Sequence, residues 1–176
     1  SVGSFVEIDF ADPANPVIEK LDFDFASCGY ALCIVDTGGS HSDLTDEYAA
    51  VRKEMESVAE YLGKSVLREV DEDEFMKNIA DIRSSCGDRA VLRAMHFYGD
   101  NARVEKQAAA LKAGDFETFK KYIIESGRSS YMYNQNVYSC KKASEQPVSL
   151  ALSLSEKLLD GCGAWRVHGG GFAGTA

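Results

Sequence analysis

Residues 88–112 read DRAVLRAMHFYGDNARVEKQAAALK, and they carry the longest helical pattern in the chain. One stripe of this segment recurs at alternating spacings of four and three residues, which is the period of one face of an α-helix. The stripe consists of Ala90, Ala94, Phe97, Asn101, Val104, Ala108 and Leu111. The opposite face, which we expect to be solvated or ion-paired, holds Arg89, Arg93, His96, Asp100 and Arg103. The spacing therefore predicts one helix from about Asp88 to Lys112.

Two shorter helical patterns precede this segment. In the first, apolar residues recur every three or four positions from Tyr48 to Leu62, and Gly63 follows as a C-terminal cap. The second opens with the capping box Asp71-x-x-Glu74 and is expected to continue to Ile82.

Two further helices are predicted after the long one. Phe116 to Ile123 marks a helix that Gly127 is expected to close. Pro147 suits the first position of a last helix, which should end at Gly161. The stretch Ser129–Ser139 has no clean period and is predicted to be a loop.

Strand patterns lie at the two ends of the sequence. Phe5–Phe10 alternates apolar and acidic residues, and Val17–Phe25 alternates more loosely. The apolar run Tyr30–Val35 is typical of a central strand, and Ala164–Val167 predicts another strand. Strands followed by helices and a final strand indicate an α+β fold, with an antiparallel sheet packed against several helices. We expect residues 1–176 to form a single domain.

Composition excludes several classes of function. The 19 basic and 28 acidic residues give a net charge of −9, and without a basic patch we expect no nucleic-acid partner. No apolar run approaches the roughly 20 residues that span a bilayer, so we expect no membrane partner. Five cysteines without a C-x-x-C pair favour a reducing cytoplasmic location, with each cysteine acting as a small buried apolar residue.

A glycine loop, His168-Gly169-Gly170-Gly171-Phe172-Ala173-Gly174, is the sharpest local feature. Glycines allow positive φ angles and let a ligand approach bare N–H groups. The spacing matches the dinucleotide pattern G-x-G-x-x-G, but it equally suits a tight bend between two strands, and the sequence leaves both open. His168 could bind an anion or be structural. Tyr48 could be a core residue or could point its hydroxyl into a cleft.

Three segments resemble the galactokinase branch of the GHMP small-molecule kinases. Asp36-Thr37-Gly38-Gly39-Ser40-His41-Ser42, followed by Glu47-Tyr48 and Arg52, is similar to the family's D-T-G-x-x-H-S loop and E-Y-N-x-R-R helix start. Arg93-Ala94-Met95-His96 with Asn101-Ala102-Arg103-Val104 resembles the R-x-x-H-x-x-x-x-N-x-R-V helix. Residues 163–174 resemble the motif G-A-R-M-T-G-G-G-F-G-G.

This resemblance implies a C-terminal GHMP kinase domain with a ferredoxin-like arrangement, without the N-terminal domain that binds ATP and sugar. The family phosphorylates galactose at its anomeric hydroxyl with ATP and Mg²⁺, both bound mainly by that N-terminal domain. The resemblance implies no catalytic residue and no metal ligand in this chain, which alone should be inactive. By the same resemblance, Tyr48 would hydrogen-bond the sugar, and His168, Gly169, Gly170, Gly171 and Phe172 would line the active-site cleft.

Several positions depart from the family pattern. His168 replaces a threonine, Ala173 replaces a glycine, and Trp165 is an insertion. Ala49 and Val51 replace an asparagine and an arginine beside Tyr48. These departures keep two alternatives open, namely a kinase for another sugar such as N-acetylgalactosamine, and a non-catalytic sugar sensor or regulator.

Overall fold

A two-stranded antiparallel ribbon opens the computed structural model, which describes residues 5–39 and 44–176. Strand β1 (Phe5–Asp9) pairs with β2 (Val17–Leu21), so that Phe5 lies opposite Leu21. Asp12 fixes the turn between them, because its carboxylate accepts the Ala14 backbone N–H at 3.0 Å. The alternation that predicted these strands is confirmed, although β2 ends four residues earlier than expected.

Six α-helices follow within the described residues. They are α1 (Thr45–Tyr61), α2 (Glu72–Lys77), α3 (Ile79–Cys86), α4 (Asp88–Lys112), α5 (Phe116–Ser129) and α6 (Pro147–Leu159). A π-helical turn, Ser130–Asn134, continues α5. The ribbon and these helices confirm the α+β fold class. Within the described residues, no helix combines the length and the apolar character needed to cross a bilayer.

The bounds of α4 confirm the predicted helix, whereas two neighbouring predictions were wrong. The capping box opens α2 as expected, with Asp71 accepting the Asp73 N–H at 2.9 Å, but the chain turns at Asn78 and starts a separate helix. The turn is stabilised by Asn78 Nδ2, which donates to the Glu74 carbonyl at 2.8 Å. Helix α5 also continues past Gly127, because that glycine allows close packing and does not end the helix. A Cβ at Gly127 would lie 3.0 Å from the Trp165 carbonyl oxygen.

Three other segments differ from their sequence-based predictions. Within the described part of the chain, Tyr30–Val35 is not a central strand, and its only ladder-like contacts are the two Val35–Ala176 backbone hydrogen bonds of 2.9 and 3.1 Å. Ala164–Val167 forms no described strand either. Part of the loop predicted over Ser129–Ser139 is instead the π-helical turn. Apolar composition alone does not supply the neighbouring strand that a ladder requires.

The main core lies between α1, α3 and α4. It contains Val58, Ala59, Leu67, Val70, Phe75, Ile82, Ala90, Val91, Ala94 and Tyr98. A second cluster joins the ribbon to α4 and α5 through Phe5, Leu21, Ala108, Leu111, Phe116 and Phe119. The polar face of α4 is also internal, since Arg93 is 0% exposed and His96 is 9% exposed. Of the two states expected for this face, solvated or ion-paired, the structure shows ion pairing, with Arg93–Glu54 at 2.9 Å and Arg103–Asp100 at 3.0 Å. The face is buried because α1 and α5 cover it and supply polar partners.

The cysteines are less buried than their sequence context predicted. Cys33, Cys140 and Cys162 are exposed, while Cys28 and Cys86 are half-buried, and all five are free thiols. Cys33 lies in the 30–35 segment, which forms no described strand, and Cys140 and Cys162 lie in turns beside helices, so none of these three faces the core.

A buried tyrosine should make the stability of this core depend on alkaline pH. Burial, followed by the nearby Glu72, Asp71 and Glu74 carboxylates, raises the pKa of Tyr98 to about 12. The unfolded chain loses this proton near pH 10, whereas the folded chain keeps it. The contribution of Tyr98 to the free energy of unfolding is therefore fully present below pH 10 and is lost as the pH rises to about 12. We expect a loss of about 2 kcal/mol across this range.

Urea unfolding at several pH values tests this expectation. In Tyr98→Phe, the fall between pH 10 and pH 12 should be about 2 kcal/mol smaller than in the unmodified chain. Identical pH dependence in the two proteins would contradict the assignment.

Candidate functional site

The glycine loop is a tight bend that closes on itself. The His168 N–H donates to the Thr175 carbonyl at 3.0 Å, and the Ala173 N–H donates to the Gly171 carbonyl at 2.7 Å. Of the two interpretations of the glycine spacing, this geometry fits the bend. A dinucleotide signature would need a helix after Gly174, and Thr175 instead bonds back to His168.

Gly171 lies where no larger residue fits. Its φ of +81° favours glycine, and a Cβ there would lie 1.9 Å from the Asn136 carbonyl oxygen. That carbonyl accepts the Phe172 N–H at 2.5 Å, and Asn136 Nδ2 donates to the Gly170 carbonyl at 3.1 Å. Asn136 therefore holds the bend by two hydrogen bonds, one on either side of Gly171.

Tyr48 contacts the same bend from the first turn of α1. Its hydroxyl donates to the Gly171 carbonyl at 2.9 Å, and a Cβ at Gly170 would lie only 2.7 Å from its Cε1 atom. Its ring packs edge-on against Phe172, with 5.3 Å between the centroids. Burial raises the pKa of Tyr48, so the hydroxyl keeps its proton at neutral pH. The ring of Tyr48 therefore packs as the first interpretation expected, and its hydroxyl contacts the bend, while its contact with a sugar stays a prediction.

The predicted site residues of the bend differ in their burial. Gly171 and Phe172 are buried, and Phe172 has a φ of +59°, a strained backbone conformation of the kind that clusters at functional sites. His168, Gly169 and Gly170 are exposed. The exposed His168 ring contacts Thr175, with 3.0 Å between His168 Nδ1 and Thr175 Oγ1.

A cavity of about 680 Å³ lies beside Phe172, and both the bend and the Gly38-Gly39 segment line it. Gly39 packs directly against Ala173, since a Cβ on Gly39 would lie 3.0 Å from the Ala173 Cβ, and Thr37 Oγ1 donates to the Gly174 carbonyl at 2.6 Å. The first and third motif segments are therefore neighbours in space. Ser40, His41 and Ser42, the rest of the first segment, lie outside the described residues.

Asn136 is the site residue that sequence reasoning missed. It lies in the aperiodic 129–139 stretch, which was predicted only as a loop. Asparagine in irregular backbone commonly hydrogen-bonds nearby peptide groups. The pair Asn134-x-Asn136 was thus the available signal, but it does not identify a partner 34 residues away in the sequence.

Similar proteins are found among galactokinases. Human galactokinase is 35% identical over 144 residues, which is 82% of this chain and 34% of the relative. The galactokinase of Actinobacillus pleuropneumoniae is 26% identical over 83% of this chain and 36% of the relative. That of Thermotoga neapolitana is 36% identical over 57% of this chain and 27% of the relative. No protein-family model matches the chain. The chain spans about a third of the length of the curated relatives it matches.

Proposed function

Because this chain is a galactokinase-like C-terminal region, we propose that it forms part of the sugar site of a kinase. The kinase transfers the γ-phosphoryl group of ATP to the anomeric hydroxyl of galactose, releasing galactose 1-phosphate, ADP and a proton. The observation that carries the proposal is the Tyr48 hydroxyl, which is held 2.9 Å from the Gly171 carbonyl beside the exposed glycines. In such a transfer, positioning and charge neutralisation do most of the work.

Tyr48 can orient a sugar without giving up its own proton. A tyrosine hydroxyl can donate one hydrogen bond and also accept, so the hydroxyl that donates to Gly171 belongs to a type of group that can hydrogen-bond a sugar as well. The contacts with Gly170 and Phe172 fix the ring, so little rotamer freedom is lost when the sugar binds. Gly169 and Gly170 carry no side chain between the cleft and the backbone, so a ligand can approach their peptide groups.

ATP and Mg²⁺ belong to the proposed reaction. In residues 5–39 and 44–176, no group of three or more His, Cys, Asp or Glu side chains is arranged to hold a metal ion. We therefore assign no Mg²⁺ ligand to the residues of the bend. We propose that an N-terminal domain binds both and that this chain, when isolated, is inactive.

The proposal is tested by ADP release with magnesium, ATP and a panel of sugars. The full-length protein carrying this chain should turn over galactose, and the isolated chain should stay at background. Turnover of another sugar, such as N-acetylgalactosamine, would keep the kinase and change its substrate. Sugar binding by folded protein without turnover of any sugar would favour a regulator and overturn the proposal. Turnover by the isolated chain would overturn the claim that it is inactive.

Tyr48→Phe provides the residue-level test in the same assay. Removing one hydroxyl should raise KM for the sugar about fivefold, because about 1 kcal/mol of hydrogen bonding is lost. Tyr61→Phe is the matched control, since Tyr61 lies at the exposed end of the same helix and should leave KM unchanged. Equal KM values for Tyr48→Phe and the unmodified protein would remove Tyr48 from the sugar site.

A further inference from the structure

Arg93 is a fully buried charge with no part in the proposed chemistry. Its side chain is 0% exposed, and one of its guanidinium nitrogens, Nη2, has no hydrogen-bond partner among the described residues. Burial lowers the pKa of Arg93, although the nearby Glu54 carboxylate acts in the opposite direction. A buried ion pair of this kind is often no more stable than an apolar replacement, so stability alone does not explain it.

The guanidinium joins two helices to the segment that supports the glycine bend. Nη1 lies 2.9 Å from Glu54 Oε2 on α1, and Nε donates to the Asn134 carbonyl at 3.0 Å. Arg89, one turn earlier on α4, donates to both Glu54 oxygens at 2.5 to 3.1 Å and so fixes that carboxylate. Asn134 is therefore fixed by side chains that are themselves held in place.

A second buried contact fixes the other end of the same segment. Ser139 Oγ donates to Glu47 Oε1 at 2.7 Å, and Glu47 precedes Tyr48 on α1. Between the two fixed ends, Gln135 has a φ of +55°, a conformation that persists only where the surroundings impose it. Asn136, the next residue, makes the two hydrogen bonds to the bend.

We infer that Arg93 is a positioning residue for the glycine bend and acts through Asn134 and Asn136. The hydrogen bond from its guanidinium to the Asn134 carbonyl fixes the distance between residues 134–136 and α4. The two hydrogen bonds of Asn136 then fix Gly170 and Phe172 relative to that segment. The same helix, α1, carries Glu54, Glu47 and Tyr48, so the bend and the tyrosine hydroxyl are aligned by one set of contacts. The inference rests on the proposed function for its catalytic meaning, whereas its structural content does not depend on any substrate.

Amide hydrogen exchange, followed by NMR on the 176-residue chain, reads the position of the bend directly. In Arg93→Lys, the charge is kept but the contacts to Glu54 and Asn134 cannot both form. We expect the Phe172 and Gln135 amides to exchange at least tenfold faster, while amides in the middle of α5 change less than twofold. Glu54→Gln changes a less buried residue, and it should speed exchange of the same amides about threefold.

Arg103→Lys is the matched control. Arg103 lies on the same helix, also has an unpartnered buried Nη2, and pairs with Asp100 on its own helix at 3.0 Å. Arg103→Lys should leave the exchange rate of the Phe172 amide unchanged. Unchanged exchange of Phe172 in both Arg93→Lys and Glu54→Gln would overturn the inference. So would a uniform increase over all core amides, which would indicate only a lower global stability.

A kinetic measurement separates this inference from the proposed function. In the full-length protein, Arg93→Lys should raise KM for the sugar at least fivefold and leave kcat within twofold, because a displaced bend weakens substrate and transition-state contacts alike. A fall in kcat at constant KM would contradict positioning. If no sugar is turned over at all, the proposed function fails and the exchange result still decides the role of Arg93.

Discussion

Replacing Gly171 by alanine is expected to open the glycine bend and abolish sugar binding. The new Cβ would lie 1.9 Å from the Asn136 carbonyl oxygen. The Cβ is bonded directly to Cα and the oxygen is a backbone atom, so neither can move away by a side-chain rotation. The positive φ of +81° adds a cost of about 1–2 kcal/mol for any L-residue. With overpacking of about 1–3 kcal/mol, the folded bend should lose about 3 kcal/mol or more.

The loss should fall on the site because the clash separates the groups that build it. If the bend moves away from Asn136, the Phe172–Asn136 and Tyr48–Gly171 hydrogen bonds break together. We therefore expect sugar affinity, measured by calorimetry on the full-length protein, to fall at least 100-fold, which corresponds to about 3 kcal/mol.

Gly169→Ala is the matched control for this prediction. Gly169 also has a positive φ, of +69°, but a Cβ there would meet no atom within 4 Å. It should cost only about 1 kcal/mol of stability and leave affinity within a factor of five. Equal effects of the two substitutions would show that backbone strain, and not the contact with Asn136, makes glycine necessary at position 171.

The sequence predicted the helices of this fold well because their information is local. The 4-3 stripe of α4 and the cap at Asp71 depend on residues a few positions apart, and both are confirmed. Tyr30–Val35 failed because a strand needs a partner that composition does not supply. Gly127 was interpreted as a helix end, whereas its role is close packing against residue 165, which lies 38 positions away.

The candidate site divides in the same way between local and distant information. The glycine run marked the bend, because that signal lies within a few residues. The contact of Tyr48 with Gly171 joins residues 123 positions apart, so no local pattern could predict it. The contacts that hold the bend come from Asn136 and, behind it, Arg93. Arg93 was placed on a face expected to be solvated or ion-paired, and it is ion-paired with Glu54. Its burial was not predicted, because helical periodicity separates apolar from polar side chains but cannot show that a polar face is buried. Buried polar contacts of this kind depend on pairwise geometry and not on pattern.

Asn136→Asp is expected to replace a hydrogen bond to the Gly170 carbonyl by a repulsion between two oxygens at neutral pH. Asn136 is 5% exposed, and its Nδ2 donates to the Gly170 carbonyl at 3.1 Å. An ionised carboxylate in the same place has no proton to donate and faces another oxygen. A buried charge left without a partner costs about 3–5 kcal/mol, so we expect a loss of at least about 3 kcal/mol at pH 7.

The same substitution should make stability depend on acidic pH with a definite sign. Burial and the neighbouring carbonyl favour the neutral form, so the folded-state pKa of the new carboxyl is raised above its ordinary value of about 3.9. Stability is then fully present below pH about 3.9 and is lost as the pH rises through the folded-state pKa. Protonation restores a donor for the Gly170 carbonyl, so the deficit relative to the unmodified chain should shrink towards pH 4.

Asn78→Asp separates this effect from a general response to one more acidic residue. Asn78 Nδ2 also donates to a backbone carbonyl, that of Glu74 at 2.8 Å, but Asn78 is partly accessible and lies in an exposed turn. Water can replace the lost donor there, so urea unfolding should show a loss under about 1 kcal/mol with little dependence on pH. If Asn136→Asp matched Asn78→Asp at pH 7, the Gly170 carbonyl would have to be satisfied without Asn136. The bend would then hold its shape by its other hydrogen bonds, among them the Phe172–Asn136 backbone bond and the one from the Tyr48 hydroxyl.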